Sequence, residues 1–202
     1  MHSLPQQHEP VWYFTRQWRH GSLPAELSNW LCDPGSLTAR LIKACPGHFH
    51  VRVLSQVWRP PMHNESKRLR MRQRQMAFIR EVYLYCDDQP VVFARTVIPR
   101  KTLSGKQKHL LRLGSRPLGA VLFADPHMRR DELELARVDA SAKLFHKAAA
   151  VLTQVPVTIW GRRSVFYVNR KPLLVSEFFL PGIARCATLK SRAARMFESF
   201  PP

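Results

Sequence analysis

The sequence predicts a single α+β domain, one antiparallel β-sheet with helices packed on it. Three observations predict it. Two pairs of β-favouring runs, 76–86 with 91–98 and 164–168 with 173–180, are each joined by a short polar connection, the pattern of an antiparallel hairpin. Two short amphipathic segments, 24–30 and 33–43, are suited to lie across one face of such a sheet. The 202 residues have ordinary apolar content, enough to bury one core. The expected division is a lead over 1–23, the domain over 24–182 and a basic tail over 183–202.

In the lead, Trp12 and Trp18 are placed to lay their rings on the body of the domain. The first helix has Ser22 as its candidate cap, Glu26 in its first turn, and Leu27 and Trp30 facing inward. The second is capped by Ser36, with Leu37, Leu41 and Ile42 supplying apolar contacts. A strand follows over 48–58, with Val51, Val53 and Val57 on one side and Leu54 and Trp58 on the other. Cys45, His48 and His50 lie close together but lack a nearby fourth ligand, so no metal is expected there. The stretch 59–73 reads as a polar loop or partly ordered flap carrying Lys67, Arg68, Arg70 and Arg72.

The hairpin over 75–99 is the centre of the chain. At period two, Met76, Phe78, Arg80, Val82 and Leu84 share one strand face, and Val91, Phe93, Arg95 and Val97 share a face of the next strand. Each strand thus sets one arginine among apolar side chains. A guanidinium keeps its charge, so it needs a carboxylate or an anionic ligand unless it turns outward on an edge. All three readings stand at this point. After the hairpin, 106–113 is a short helix ended by Gly114. Ser115-Arg116-Pro117-Leu118-Gly119 is either a tight turn pressing Leu118 onto a flat ligand or a plain helix start.

A strand over 129–138 sets Leu133 and Leu135 on one face, and 141–152 is a peripheral helix with Leu144, Ala148 and Val151 at helical spacing. In the last strand Leu173, Val175, Glu177 and Phe179 point the same way, which makes Glu177 the acidic counterpart of Arg80. Burial raises a carboxylate's pKa unless it is hydrogen-bonded or paired. A structural Arg–Glu bridge between strands accounts for Glu177 as readily as an active site does. The tail reads as a solubilising extension in weak contact with anionic surfaces.

The formal net charge of +18 favours anionic partners: small carboxylates, nucleic acid or an acidic surface. Neither an aromatic platform nor a groove-entering helix is specified, so no specific nucleic acid is expected. No apolar run reaches bilayer length, and the N-terminus lacks the basic-then-apolar order of a signal peptide. Cys32, Cys45, Cys86 and Cys186 lie far apart and read as structural thiols of a reducing compartment. A cytoplasmic location is the expectation.

Ile79-Arg80-Glu81-Val82-Tyr83-Leu84-Tyr85-Cys86, Ala94-Arg95-Thr96-Val97-Ile98-Pro99, Arg116-Pro117-Leu118-Gly119, Trp160-Gly161-Arg162-Arg163-Ser164 and Lys171 through Pro181 together resemble the chorismate pyruvate-lyase family. The resemblance implies an internal ligand cavity closed by flaps and a cofactor-free conversion of chorismate to 4-hydroxybenzoate and pyruvate for ubiquinone synthesis. It implies chorismate and 4-hydroxybenzoate as partners; a monomer is the expectation. The family's product-contacting arginine falls on Arg80, its apolar turn residue on Leu118 and its carboxylate on Glu177. Two further positions of the substrate pocket depart from the family pattern, with Ala94 in place of Gly and Leu37 in place of Met. Strand-face reasoning adds Arg95 for the enolpyruvyl carboxylate or ether oxygen, and Phe78 beside Leu37 and Leu118 as a dry wall. The alternative is a small-molecule effector-binding domain of the kind some bacterial transcription regulators share. Such regulators carry a winged helix-turn-helix segment ahead of it, for which 1–40 is too short.

Overall fold

The computed structural model describes residues 7–19 and 21–186. The elements run β1 (Tyr13–Phe14), α1 (Ala25–Leu31), α2 (Leu37–Ala44), β2 (Phe49–Arg59), α3 (His63–Arg68), β3 (Ala77–Cys86), β4 (Gln89–Pro99), α4 (Leu118–Phe123), β5 (Arg129–Arg130), β6 (Glu134–Val138), α5 (Lys143–Ala149), β7 (Ile159–Val168) and β8 (Lys171–Phe179). The strands form one sheet in the order β1-β6-β7-β8-β4-β3-β2, with β5 also paired to β7. Every strand pair in it is antiparallel. The α+β class expected from the sequence is the class observed.

Alternation along β3 decides which layer each residue meets. Phe78, Val82 and Leu84 face the side covered by α1, α2 and α4, where Leu37, Leu41, Leu118 and Leu122 pack against the sheet. Ala77, Ile79, Tyr83 and Tyr85 face the other side, which α5 and Leu69 cover. All ten residues of β3 are buried, as a central strand between two helical layers requires. Ser36 caps α2 by accepting from the Ala39 N–H, as expected, whereas α1 begins on Pro24 rather than on Ser22.

Several boundaries differ from the sequence reading for local reasons. The stretch after β2 is not an open loop: α3 forms within it, and the Glu65 carboxylate accepts from the Met62 N–H at its start. Both hairpin turns are shorter than four residues. At the second, Asn169 and Arg170 take φ of 47° and 62°, so Val168 pairs directly with Lys171. A bulge between Val53 and Ser55 breaks the alternation of β2. The lead is partly integrated, since Tyr13 and Phe14 pair with β6 and the Trp12 ring lies 5.7 Å from Phe178. At the other end the core continues past Gly182 to Ile183 and Cys186, both buried. The rest of the basic tail lies outside the described residues.

The four-thiol expectation is corrected. Cys45 and Cys86 form a disulfide spanning 41 residues, with Cα atoms 5.6 Å apart. Sequence distance misled because β2 folds back along β3 and sets Phe49 opposite Cys86, bringing the end of α2 alongside. Cys32 and Cys186 remain thiols. Among the described residues no helix is long and apolar enough to cross a membrane.

Candidate active site

A pocket of about 540 Å³, its open mouth included, lies between the sheet and the α2/α4 layer. Its floor is set by sheet register. Ala94 lies opposite Glu177, and Glu177 opposite Arg162; in the next row Arg80 lies opposite Thr96, and Thr96 opposite Val175. Its roof comes from two segments, the loop and helix start at Gly35, Leu37 and Thr38, and the turn at Pro117, Leu118 and Gly119. These roof segments touch closely: a Cβ on Gly119 would lie 2.8 Å from Thr38 Oγ1, so glycine permits the approach. A turn at Gly114, φ 54°, closes from Arg116 N to the Leu113 carbonyl, and α4 starts at Leu118, so the helix start is the reading observed.

Arg80, Leu118, Glu177, Leu37 and Ala94 all line this pocket. Phe78 lies beside it in the apolar cluster of α4. Arg95 does not line it, and the expectation that it meets the substrate here is corrected. Neighbours on a strand face opposite sides, so with Ala94 in the pocket Arg95 points through the sheet. There it forks onto Glu65, Nε to Oε1 at 2.7 Å and Nη2 to Oε2 at 2.9 Å, and reaches Glu81 Oε1 at 2.5 Å. Burial works against its charge, but the Glu65 and Glu81 carboxylates outweigh that and raise its pKa.

Two arginines of the pocket carry no sequence expectation, Arg130 and Arg162. Glu177 pairs with Arg162, not Arg80: Arg162 Nε donates to Oε2 at 2.7 Å, and its Nη1 donates to the Trp30 and Asp33 carbonyls at 2.7 and 2.8 Å. Arg130 Nη1 donates to the Pro34 carbonyl at 2.7 Å and the Gly35 carbonyl at 3.3 Å, with its guanidinium 4.9 Å from the Phe166 ring centre. Arg80 Nη2 donates to the Gly114 and Arg116 carbonyls at 2.9 and 3.2 Å. Among the described residues neither Arg80 nor Arg130 has a carboxylate within ion-pair distance, and both keep a buried Nε without a hydrogen-bond partner.

That lack of compensation is visible in their basicity. Burial alone pulls Arg80 down to about 10, and burial, partly offset by the field of Glu177, does the same to Arg130. Three guanidiniums therefore face one carboxylate, leaving two positive charges over walls of Leu37, Val82, Leu118, Phe166 and Val175. Backbone carbonyls orient Arg80 and Arg130 without neutralising them, so a carboxylate entering the pocket finds aimed, dry, charge-assisted donors.

Fold and pocket define a small single-domain protein with a site built for an anion whose body is apolar. The chain matches the family described as chorismate lyase over residues 9–188. It belongs to that family. It is 44% identical over 168 residues to the "probable chorismate pyruvate-lyase" of Aromatoleum aromaticum, covering 82% of this chain and 90% of the relative. Identity to the protein of the same name in Azoarcus sp. is 46% over 161 residues, 78% of this chain and 85% of the relative. A solved structure with partial likeness is the C-terminal domain of the histidine utilization repressor from Pseudomonas syringae. Its TM-score is 0.49 at 12% identity, over 66% of this chain and 92% of that one.

Proposed function

We propose that this protein is a chorismate pyruvate-lyase, converting chorismate to 4-hydroxybenzoate and pyruvate, the former serving ubiquinone synthesis. The observation that carries the reading is the pair of buried guanidiniums that have no carboxylate partner among the described residues, set beside Glu177 in an apolar pocket. Chorismate is a cyclohexadiene with two carboxylates and one ring hydroxyl, which matches two surplus positive charges and one carboxylate. The C3–O bond to the enolpyruvyl group breaks and the hydrogen at C4 leaves as a proton, making the ring aromatic. The departing enolpyruvate takes up a proton at its methylene carbon and becomes pyruvate. Atoms and charge balance without a co-reactant.

Arg80 holds the ring carboxylate through its fork, and Glu177 holds the ring hydroxyl. Glu177 is itself fixed by Arg162, so the bridge between strands and the site are one arrangement. The reaction is downhill once the ring can aromatise, so the main task is to fix a reactive conformer and steady the leaving charge in a dry site. The roof segments at 33–38 and 114–119 serve as the flaps that exclude water. Incubation of the purified chain with chorismate is expected to give a new aromatic absorbance and one pyruvate per ring. Pyruvate release at only the spontaneous rate would contradict the reading.

A further inference from the structure

We propose that Arg130 is the second anion anchor of this site, holding the enolpyruvyl carboxylate that chorismate has and 4-hydroxybenzoate lacks, so that it selects substrate over product. The inference rests on the lyase reading and deepens it. Of the three arginines facing the pocket, Arg162 is already matched to Glu177 and two carbonyls. Among the described residues Arg80 and Arg130 are the two held only by backbone carbonyls, each with a buried, unpartnered Nε.

Their positions distinguish them. Arg130 hangs from the carbonyls of Pro34 and Gly35, and Arg162 from that of the neighbouring Asp33, so Arg130 stands on the same side of the pocket as the Arg162–Glu177 pair. Arg80 hangs from the opposite roof segment, at Gly114 and Arg116. It also rises from β3, which β4 separates from Glu177 on β8, about 12 Å away at two strand spacings and one row. The field of Glu177 is felt at Arg130, whereas only burial acts on Arg80.

Chorismate has the same asymmetry. Its hydroxyl carbon is bonded directly to the carbon bearing the enolpyruvyl ether, while the ring carboxylate sits directly across the ring from the hydroxyl carbon and one carbon removed from the ether carbon. With Glu177 on the hydroxyl, the ring carboxylate points toward Arg80 and the ether carboxylate falls on the side of Arg130. Once the C3–O bond breaks, 4-hydroxybenzoate keeps Arg80 and Glu177, and Arg130 keeps the pyruvate fragment. The guanidinium is then close to the enolate oxygen on which charge develops.

The test compares binding of 4-hydroxybenzoate, a monoacid, with its diacid analogue 3-(1-carboxyvinyloxy)-4-hydroxybenzoate, beside chorismate turnover. In Arg130→Gln, diacid affinity and kcat/KM for chorismate are each expected to fall about a hundredfold, as when a buried charge loses its partner. The Kd for 4-hydroxybenzoate should stay within about threefold, which also reports an intact fold. A parallel loss of 4-hydroxybenzoate affinity, or unchanged diacid affinity, would overturn the assignment. Should that variant not fold, the wild-type protein and Arg130→Lys decide. The wild type is expected to prefer diacid over monoacid by at least about tenfold and the lysine variant to keep part of that preference; equal wild-type affinities would overturn it. A wild type that prefers the diacid but releases no pyruvate from chorismate sinks the lyase reading and leaves the anion assignment standing.

Discussion

The two faces of one sheet treat buried arginine in opposite ways. On the α3/α5 face Arg95 meets Glu65 and Glu81, and Arg163 Nη2 meets Glu134 Oε2 at 2.6 Å. Glu81 also takes Lys147 at 2.7 Å and Arg59 at 3.1 Å, so the carboxylates there are oversupplied with donors. On the pocket face Arg162 pairs with Glu177, but among the described residues Arg80 and Arg130 have backbone carbonyls and no carboxylate. Both groups are dry, and both are charged. The first is complete without a ligand and the second is not, which separates scaffold from site more clearly than burial does.

The largest effect is expected on the scaffold face. Arg95→Met leaves Glu65 and Glu81 buried with fewer donors, at a cost of about 3–5 kcal/mol. For a domain of this length that lowers the thermal midpoint by about 10 °C, read by calorimetry. Turnover per folded molecule should be nearly unchanged, and a specific loss of turnover would return Arg95 to the site. The same network predicts an acid limit. Burial opposes the Glu81 charge, but Lys147 and Arg95 overcome it and hold its pKa below 4.5. A carboxyl lowered by folding stabilises above its unfolded pKa, and that contribution is lost as pH falls from 4.5 through the folded value. Denaturant midpoints measured down this range should decline in the wild type and decline less in Arg95→Met.

On the pocket face the losses are in chemistry. Arg80→Met should cost about 2–5 kcal/mol in kcat/KM for chorismate, and 4-hydroxybenzoate affinity should fall with it. Glu177→Gln keeps the size of the side chain and some hydrogen bonding but removes charge and proton exchange. It should bind 4-hydroxybenzoate and turn chorismate over more slowly, checked by titration and steady-state kinetics on one preparation. Full turnover beside a lowered midpoint would leave Glu177 as scaffold. The smallest effect belongs to the apolar roof: Leu37→Met should change stability by less than about 1.5 kcal/mol and KM only slightly.

How much of this was legible turns on strand arithmetic. Period two sets Arg80, Val82 and Leu84 on one face, and it also separates Ala94 from Arg95; assigning both to the pocket ignored that alternation. Arg162 was legible in principle. A four-residue turn at 169–172 sets Ser164 opposite Glu177, whereas the two-residue turn at Asn169 and Arg170 sets Arg162 there. Asn169, a residue that tolerates the positive φ the first position of a two-residue turn requires, was the available signal. Arg130 was not legible, because the two-residue strand β5 follows a loop and its side chain meets carbonyls 96 and 95 residues away. The Cys45–Cys86 pairing likewise follows from the register of β2 on β3, which the sequence does not display.

The measurement closest to the central claim is the thermal midpoint of Arg80→Met without ligand. Burial holds Arg80 at about 10, well below the usual guanidinium value, a penalty on the folded state at neutral pH that is relieved only as pH rises through 10. A guanidinium kept uncompensated for a ligand should therefore stabilise the fold when removed or leave it unchanged. The account predicts a midpoint at or above that of the wild type, and no further rise when 4-hydroxybenzoate is added. A midpoint lowered as far as in Arg95→Met would contradict it, and Arg80 would then belong to the scaffold.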